Sequence, residues 1–466
     1  MDEGGRLGYL GARQRKESAM ESIFKAYDIR GIYGQTLTDE MAERIGRAYA
    51  TFLKPKKVVV GMDMRPHSRP LFEALARGLT RQGCDVIDIG LCSTPMTYFA
   101  NGSLGADGSI MITASHNPGE WNGFKPCRAQ AVPISGATGL LDLEKIVTSG
   151  SYAPAAAKPG TVSAYDIVPA YVRHVQSHVR PAGKPRLAID FANGMGILEA
   201  RALEGLVEID PLFDTLDGTF PSHEANPLKT ETLEALQARI RGGHYAFGVA
   251  FDGDADRAGF VDEKGAVVPM DIITALVAQS VLQKQKGIIF YDLRSSWSVK
   301  EVIEESGGTA RMCRVGHAFI KQQMRDAGAL FAGELSGHYY FKDNYYTESA
   351  AMAILSVADI VTRAGKPLSE LVRPIQRYAA SGEINSEVHD TAKVLKAVKS
   401  RYSDGRLIDL DGVSVEYADW WFNVRCSNTE PLIRLNLEAK TRPLMEKKRD
   451  ELLALIREGL ALIREG

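Results

Sequence analysis

The chain has 466 residues, 45% of them hydrophobic and 24% charged, with a formal net charge of −2. That composition is ordinary for a soluble globular protein, and the near-neutral balance gives nucleic acid or an anionic membrane no electrostatic claim as a partner. The length exceeds one hydrophobic core and predicts three or four domains. The five cysteines (Cys84, Cys92, Cys127, Cys313, Cys426) show no metal-type spacing. Scattered and odd in number, they are expected in a reducing cytoplasm, and no apolar run approaches the ~18 residues of a membrane helix.

In chain order, residues 1–19 mix charges with several glycines and lack the apolar core of a secretory signal, which predicts a disordered extension, with an upstream start or a non-native remnant before Met20 as the alternatives. Val58–Gly61 and Val86–Gly90 read as buried strands, and Pro70–Leu79 between them as an amphipathic helix. That alternation predicts a parallel α/β layer. The first domain, 20–165, should end near the Ala/Pro/Lys-rich stretch at 153–160. A second, 166–270, would contain a helix near Tyr171–Val179, a strand at Leu187–Phe191 and a helix at Thr230–Arg241. A third α/β unit, 271–380, would use Ile288–Tyr291 as a strand and 347–363 as a helix. After Pro367 and a break at Ser381-Gly382 the pattern changes. Val413–Tyr417 and Trp421–Val424 read as antiparallel strands and Arg442–Glu458 as a helix, so 381–466 should be a smaller α+β unit. Ala-Leu-Ile-Arg-Glu-Gly occurs at 454–459 and again at 461–466, a seven-residue period that keeps one apolar face on a helix. A short terminal helix is favoured there over a coiled coil.

Three segments carry chemistry. The apolar run Gly108–Ile112 is followed by Thr113-Ala114-Ser115-His116-Asn117-Pro118, and Asn117-Pro118-Gly119 signals a turn. Ser115 is thus expected at the end of a buried strand beside the His116 imidazole, where a hydroxyl acts as nucleophile or phosphoryl carrier. A turn-capping serine is the alternative. The second segment, Asp252-Gly253-Asp254-Ala255-Asp256-Arg257, sets three carboxylates at alternate positions after a strand-like run. They would converge on a hard cation such as Mg2+ or Ca2+. An EF-hand reading fails because Arg257 replaces the required glycine and the flanks read as strands; a solvated acidic turn is the other alternative. The third segment, Arg425-Cys426-Ser427-Asn428-Thr429-Glu430-Pro431 with Arg434, has the donors of a phosphate cradle, against the alternative of a polar hairpin turn. A carrier, a cation site and a phosphate grip are the parts of phosphoryl transfer.

With Lys25-Ala26-Tyr27-Asp28-Ile29-Arg30-Gly31 before these segments and Gly333-Glu334-Leu335-Ser336-Gly337-His338 between the last two, five motifs stand in a single order. In this the chain resembles the α-D-phosphohexomutase superfamily, in its phosphomannomutase/phosphoglucomutase branch, from Ile23 to about Leu437. The resemblance implies three similar α/β domains plus a smaller C-terminal α+β domain around a central active-site cleft. It implies interconversion of hexose 1-phosphate and hexose 6-phosphate, of mannose or glucose, through a phosphoserine and a bisphosphorylated sugar. Glucosamine phosphates or a metal-dependent phosphatase are the alternatives. The implied partners are small sugar phosphates, with a hexose 1,6-bisphosphate as intermediate or activator, and the implied protein is a monomer or small homo-oligomer.

By the same resemblance Ser115 is the phosphoserine, and Mg2+ is held by Asp252, Asp254, Asp256 and the Ser115 group. His116, Lys125, Arg257, His338 and Arg30 are expected in the catalytic set. Tyr27, Arg294, His317, Glu334, Ser336, Arg425, Ser427, Asn428, Thr429 and Arg434 are expected on the substrate. Lys125 has the alternative of an exposed loop lysine, Tyr27 of a core aromatic and His317 of a structural histidine. Three departures from the family touch specificity: Arg294 where relatives can carry lysine, His67 where a small hydroxyl residue is common, and Lys342–Tyr346 in place of an acidic-glycine pattern.

Overall fold

A computed structural model describes residues 23–388, 390–426 and 432–461. The expected extension at 1–19 therefore lies outside the described residues. The chain forms two compact units, one running to Val267 and including His338–Gly365, the other comprising Val268–Gly337 and the chain from Lys366 onward.

In the first unit, β-branched runs make the central strands. Ile29–Ile32 (β1), Lys57–Met62 (β2), Asp85–Leu91 (β3), Gly108–Ile112 (β4), Trp121–Arg128 (β5) and Val162–Ala164 (β7) lie in the order β1-β5-β4-β2-β3-β7, with Val132–Pro133 (β6) beside β5. The pairs β2–β3, β2–β4 and β3–β7 are parallel, whereas β4–β5 and β1–β5 are antiparallel. Val58, Val59 and Val60 are wholly buried, as expected of a strand covered on both faces. Helices Asp39–Leu53 (α1) and Ser68–Arg81 (α2) approach so closely that a Cβ on Gly46 would sit 2.4 Å from Leu75 O. The stretch at 153–160 does not end this sheet, because β7 follows it and still pairs with β3.

The second sheet runs β12-β11-β10-β8-β9, from Arg186–Asp190 (β8), Glu208–Leu212 (β9), Phe247–Phe251 (β10), Ala258–Asp262 (β11) and Val267–Val268 (β12). The helix expected over 230–241 is a 3-10 turn at Thr230–Leu233 followed by an α-helix at Glu234–Arg241. The same unit holds a hairpin of Tyr339–Phe341 (β16) and Thr347–Glu348 (β17). The helix expected from residue 347 begins instead at Ala350, because Ser349 is its N-cap and accepts from Met352 N at 3.2 Å.

In the second unit Ile288–Asp292 (β13) pairs in parallel with Thr309–Cys313 (β14) and Phe331–Gly333 (β15). An antiparallel sheet follows, β18-β22-β21-β20-β19, from Ala379–Glu387 (β18), Arg406–Ile408 (β19), Val413–Glu416 (β20), Trp420–Cys426 (β21) and Leu432–Ala439 (β22). Trp420, Phe422, Val424, Leu435 and Leu437 pack against Leu452 and Ile456 of the helix Arg442–Ala461. Residues 462–466, most of the second copy of the repeat, lie outside the described residues. The Ser381-Gly382 break lies inside β18 as a β-bulge, with a register shift between Ala380 and Glu383 and Gly382 at φ 69°. Among the described residues no helix is long and apolar enough to cross a membrane.

Candidate active site

The apolar strand β4 delivers Ser115 to a loop in which it adopts φ 54°, in the left-handed region that costs a side chain energy. Its surroundings hold it there. Ser115 N donates to Thr113 Oγ1 at 2.9 Å. The buried Arg65 guanidinium donates to four carbonyls: Ser115 O at 3.0 Å, Asn117 O at 2.6 Å, Pro118 O at 2.6 Å and Trp121 O at 2.9 Å. Asp63 fixes Arg65 in turn, accepting from its Nε at 3.1 Å. Ser115 Oγ donates to Asp252 Oδ2 at 3.1 Å and lies 3.2 Å from His116 Nδ1. Burial, reinforced by the Arg257 and Arg30 charges, holds the His116 imidazole well below its usual range, so the ring is neutral at pH 7.

The three aspartates come from the loop after β10. Gly253 is required there, because a Cβ would lie 2.4 Å from Ser115 O. Ligand oxygens of Asp252, Asp254 and Asp256 lie within 4.8 Å of one another, all buried. Burial, with Asp256 and Asp254 alongside, pushes the Asp252 carboxyl well above the usual range. Burial would raise Asp256 too, but Lys125 and His338 outweigh it and hold that carboxyl well below. Lys125, expected near the site, is buried rather than exposed, with Nζ 2.6 Å from Asp254 Oδ2 and 2.7 Å from Asp256 Oδ2. Thr94 Oγ1 donates to Asp254 Oδ2 at 2.5 Å. Asp254 Oδ1 is buried and has no hydrogen-bond partner among the described residues. An all-oxygen cluster with an uncommitted buried carboxylate oxygen fits a hard divalent cation.

The catalytic candidates of this unit converge on the same cluster. His338 Nε2 lies 3.3 Å from both Asp256 Oδ1 and Arg257 Nε. Arg257 Nε lies 3.6 Å from Asp252 Oδ2. Arg30 donates to Asp28 Oδ2 at 2.9 Å and to Asn117 Oδ1 at 2.5 Å, which ties the N-terminal motif to the serine loop. Tyr27, half-buried, sits on the bend three residues before Arg30.

The second unit gathers the remaining candidates. Glu334 follows β15 and accepts from Gly316 N at 3.1 Å, which fixes the turn that leads into His317. Asp292, the last residue of β13, accepts from Leu335 N at 2.8 Å and from Arg294 Nη2 at 2.6 Å, while Ser336 on the same loop is half-buried. Arg294, Arg425 and Arg434 meet at one carboxylate, Glu383. Burial would raise that carboxyl, but the three guanidinium groups hold it down to about 2. Ser427, Asn428 and Thr429 lie outside the described residues.

Sequence reasoning missed Asp63, Arg65, Thr94, Asp292 and Glu383. One signal was available: Asp63-Met64-Arg65 and Asp292-Leu293-Arg294 repeat one pattern at the C-terminal ends of parallel strands. Glu383 gave no comparable signal, because its role comes from the bulge.

Models of the phosphoglucomutase/phosphomannomutase domains match in sequence along the chain. The α/β/α domain I model covers residues 21–153, domain II 169–265, domain III 269–378 and the C-terminal domain 383–455. A phosphomannomutase of Escherichia coli (strain K12) is 42% identical over 452 residues, covering 94% of this chain and 99% of that protein. A phosphomannomutase of Salmonella montevideo is 41% identical over 450 residues, covering 93% and 99%. Among solved structures, a phosphoglucomutase/phosphomannomutase family protein from Burkholderia thailandensis is similar with a TM-score of 0.87 and 32% identity, covering 94% of this chain and 98% of that one.

Proposed function

Because the chain belongs to the phosphoglucomutase/phosphomannomutase family and is a phosphohexomutase, an intramolecular phosphotransferase, we propose that Ser115 is its phosphoryl carrier and that turnover passes through a hexose 1,6-bisphosphate. The observation that carries this reading is the Ser115 hydroxyl 3.1 Å from Asp252 Oδ2, inside the three-aspartate cluster. In one half-reaction the phosphoserine P–O bond breaks and a bond forms to a sugar hydroxyl, whose proton passes to His338. In the other, the second phosphate breaks its bond to the sugar oxygen and returns to Ser115 Oγ, and His338 gives that sugar oxygen its proton. Asp252, Asp254 and Asp256 would hold Mg2+, which when bound neutralises charge on the transferring group. Arg257 and Lys125 would act on the same charge, with positioning and electrostatics supplying most of the rate. Arg294, Arg425 and Arg434 would hold the phosphate that is not transferred, with Ser427, Asn428 and Thr429 completing the cradle. Glu334 and Ser336 would read sugar hydroxyls, with His317 and Tyr27 beside the ring. The five cysteines are all free thiols, which supports a reducing, cytoplasmic compartment.

Ser115→Ala tests the reading. It removes the acceptor oxygen and little else. With glucose or mannose 1-phosphate, Mg2+ and catalytic 1,6-bisphosphate, turnover to the 6-phosphate should fall by several orders of magnitude while sugar-phosphate binding persists. Intact-mass measurement should find one phosphate on the wild type and none on the variant. Near-normal turnover by the variant would overturn the assignment, and free phosphate in place of 6-phosphate would mean that water is the acceptor.

A further inference from the structure

Glu383 has no part in the chemistry above, yet it occupies the centre of the arginine group. The bulge at Ser381-Gly382 shifts the register of β18 against β22 at this residue. Glu383 Oε1 accepts from Arg434 Nη1 at 2.9 Å. Its Oε2 accepts from Arg425 Nη2 at 3.1 Å, Arg294 Nη1 at 3.4 Å and Asn436 Nδ2 at 3.3 Å. Three donors crowd one oxygen, and all three contacts are longer than the ~2.7–2.9 Å of a good charge-assisted bond. Arg425 Nε is buried and has no hydrogen-bond partner among the described residues. Asp292 shares the Arg294 guanidinium, with Nη2 at 2.6 Å from its Oδ2. A phosphate brings an additional oxygen and more charge, and so matches this donor set better than one carboxylate does.

We propose that Glu383 is the resident counter-anion of the phosphate grip: it holds Arg294, Arg425 and Arg434 together in the free protein and yields them, in whole or part, to a sugar phosphate. The proposal rests on the reading of these arginines as the site of the non-transferred phosphate. Glu383 is a positioning residue that acts through the guanidinium groups. Its consequence is an exchangeable grip. The bisphosphate must let go and rebind with its two phosphates exchanged, and a permanent negative charge inside the grip favours that release.

Inorganic sulfate, which cannot be transferred, isolates the grip from the reaction. Titrated calorimetrically at fixed low ionic strength, Glu383→Gln should bind sulfate on the order of tenfold more tightly than wild type, because a like charge next to the anion is gone. Glu383→Asp, whose shorter side chain draws the charge back, should fall between them. Arg425→Ala should weaken sulfate. In turnover, Glu383→Gln should lower KM and kcat together, a split that loss of a merely structural contact does not produce. If Arg425→Ala weakens sulfate while Glu383→Gln leaves it unchanged or weaker, the reading of the grip stands and the counter-anion proposal falls. If Arg425→Ala alters neither sulfate binding nor KM, both fall. Should Glu383→Gln fail to fold, Glu383→Asp decides: no gain in sulfate affinity over wild type overturns the proposal.

Discussion

At the scale of single residues, the site depends on one strained serine and the arginine that holds it. Ser115 stays at positive φ because Arg65 saturates the carbonyls of its loop. A lysine at 65 keeps the charge but has three donors in place of the fork's five, so at least one of those four carbonyls, of which that of Ser115 is buried, loses its partner. Each buried polar group orphaned in this way costs about 1–3 kcal/mol. Arg65→Lys is therefore expected to lower the denaturation midpoint and to reduce kcat more than KM, since the serine rather than the substrate is displaced. Chemical denaturation and steady-state kinetics on one preparation check both effects, and unchanged kcat would show that the loop holds its shape without the fork. The serine, the aspartates and most of their partners were legible in the sequence because short motifs carry them. Arg65 and Thr94 were not, since each reaches the site from a distant segment through a contact that only the fold creates.

At the scale of elements, the strands were legible because they are buried apolar runs, as with Val58–Val60 and Phe247–Phe251. Ends and irregularities were less so. The helix expected from residue 347 starts at Ala350, behind its Ser349 cap, and the Ser381-Gly382 break is a bulge inside a strand. Helix caps also build a buried junction around Glu199. This residue sits on the helix Gly196–Leu203 and accepts from Tyr171 OH at 3.0 Å and from the Ser93 hydroxyl, which also caps the helix Thr94–Ser103. Burial pushes the Glu199 carboxyl from its ordinary 4.5 up to about 7. Its folded pKa is above its unfolded one, so the native state binds the proton more tightly. Stability from this group is full below about 4.5 and is lost as pH rises to about 7, in the limit about 3 kcal/mol. Melting curves between pH 5 and 8 should show wild type losing stability relative to Glu199→Gln, whose amide oxygen keeps an acceptor without the charge. Parallel curves for the two proteins would rule out Glu199 as the titrating group.

At the scale of the whole molecule, the candidate residues divide by task. The unit that contains Ser115 also carries the aspartates, Lys125, Arg257 and His338, whereas the other carries Glu334, Ser336 and the arginine group. On the proposed route the bisphosphate binds in two opposite orientations, and the arginine group would then serve whichever phosphate is idle. The ratio of forward to reverse kcat/KM is fixed by the reaction equilibrium, so no variant can change it and kinetics in two directions cannot test the idea. Equilibrium binding can. In a Ser115→Ala background, which binds without transfer, Arg425→Ala removes a charge-assisted contact of about 1.5–3 kcal/mol, roughly ten- to hundredfold in affinity. The loss should be similar for hexose 1-phosphate and hexose 6-phosphate, and similar for glucose and mannose. Glu334→Ala in the same background should instead shift the ratio of glucose to mannose affinity, because Glu334 is proposed to read hydroxyls and not phosphate. Four dissociation constants for each variant decide the matter. An Arg425→Ala loss confined to one phosphate position would mean that the arginine group serves a single orientation, and the exchange of the bisphosphate would then need a second grip.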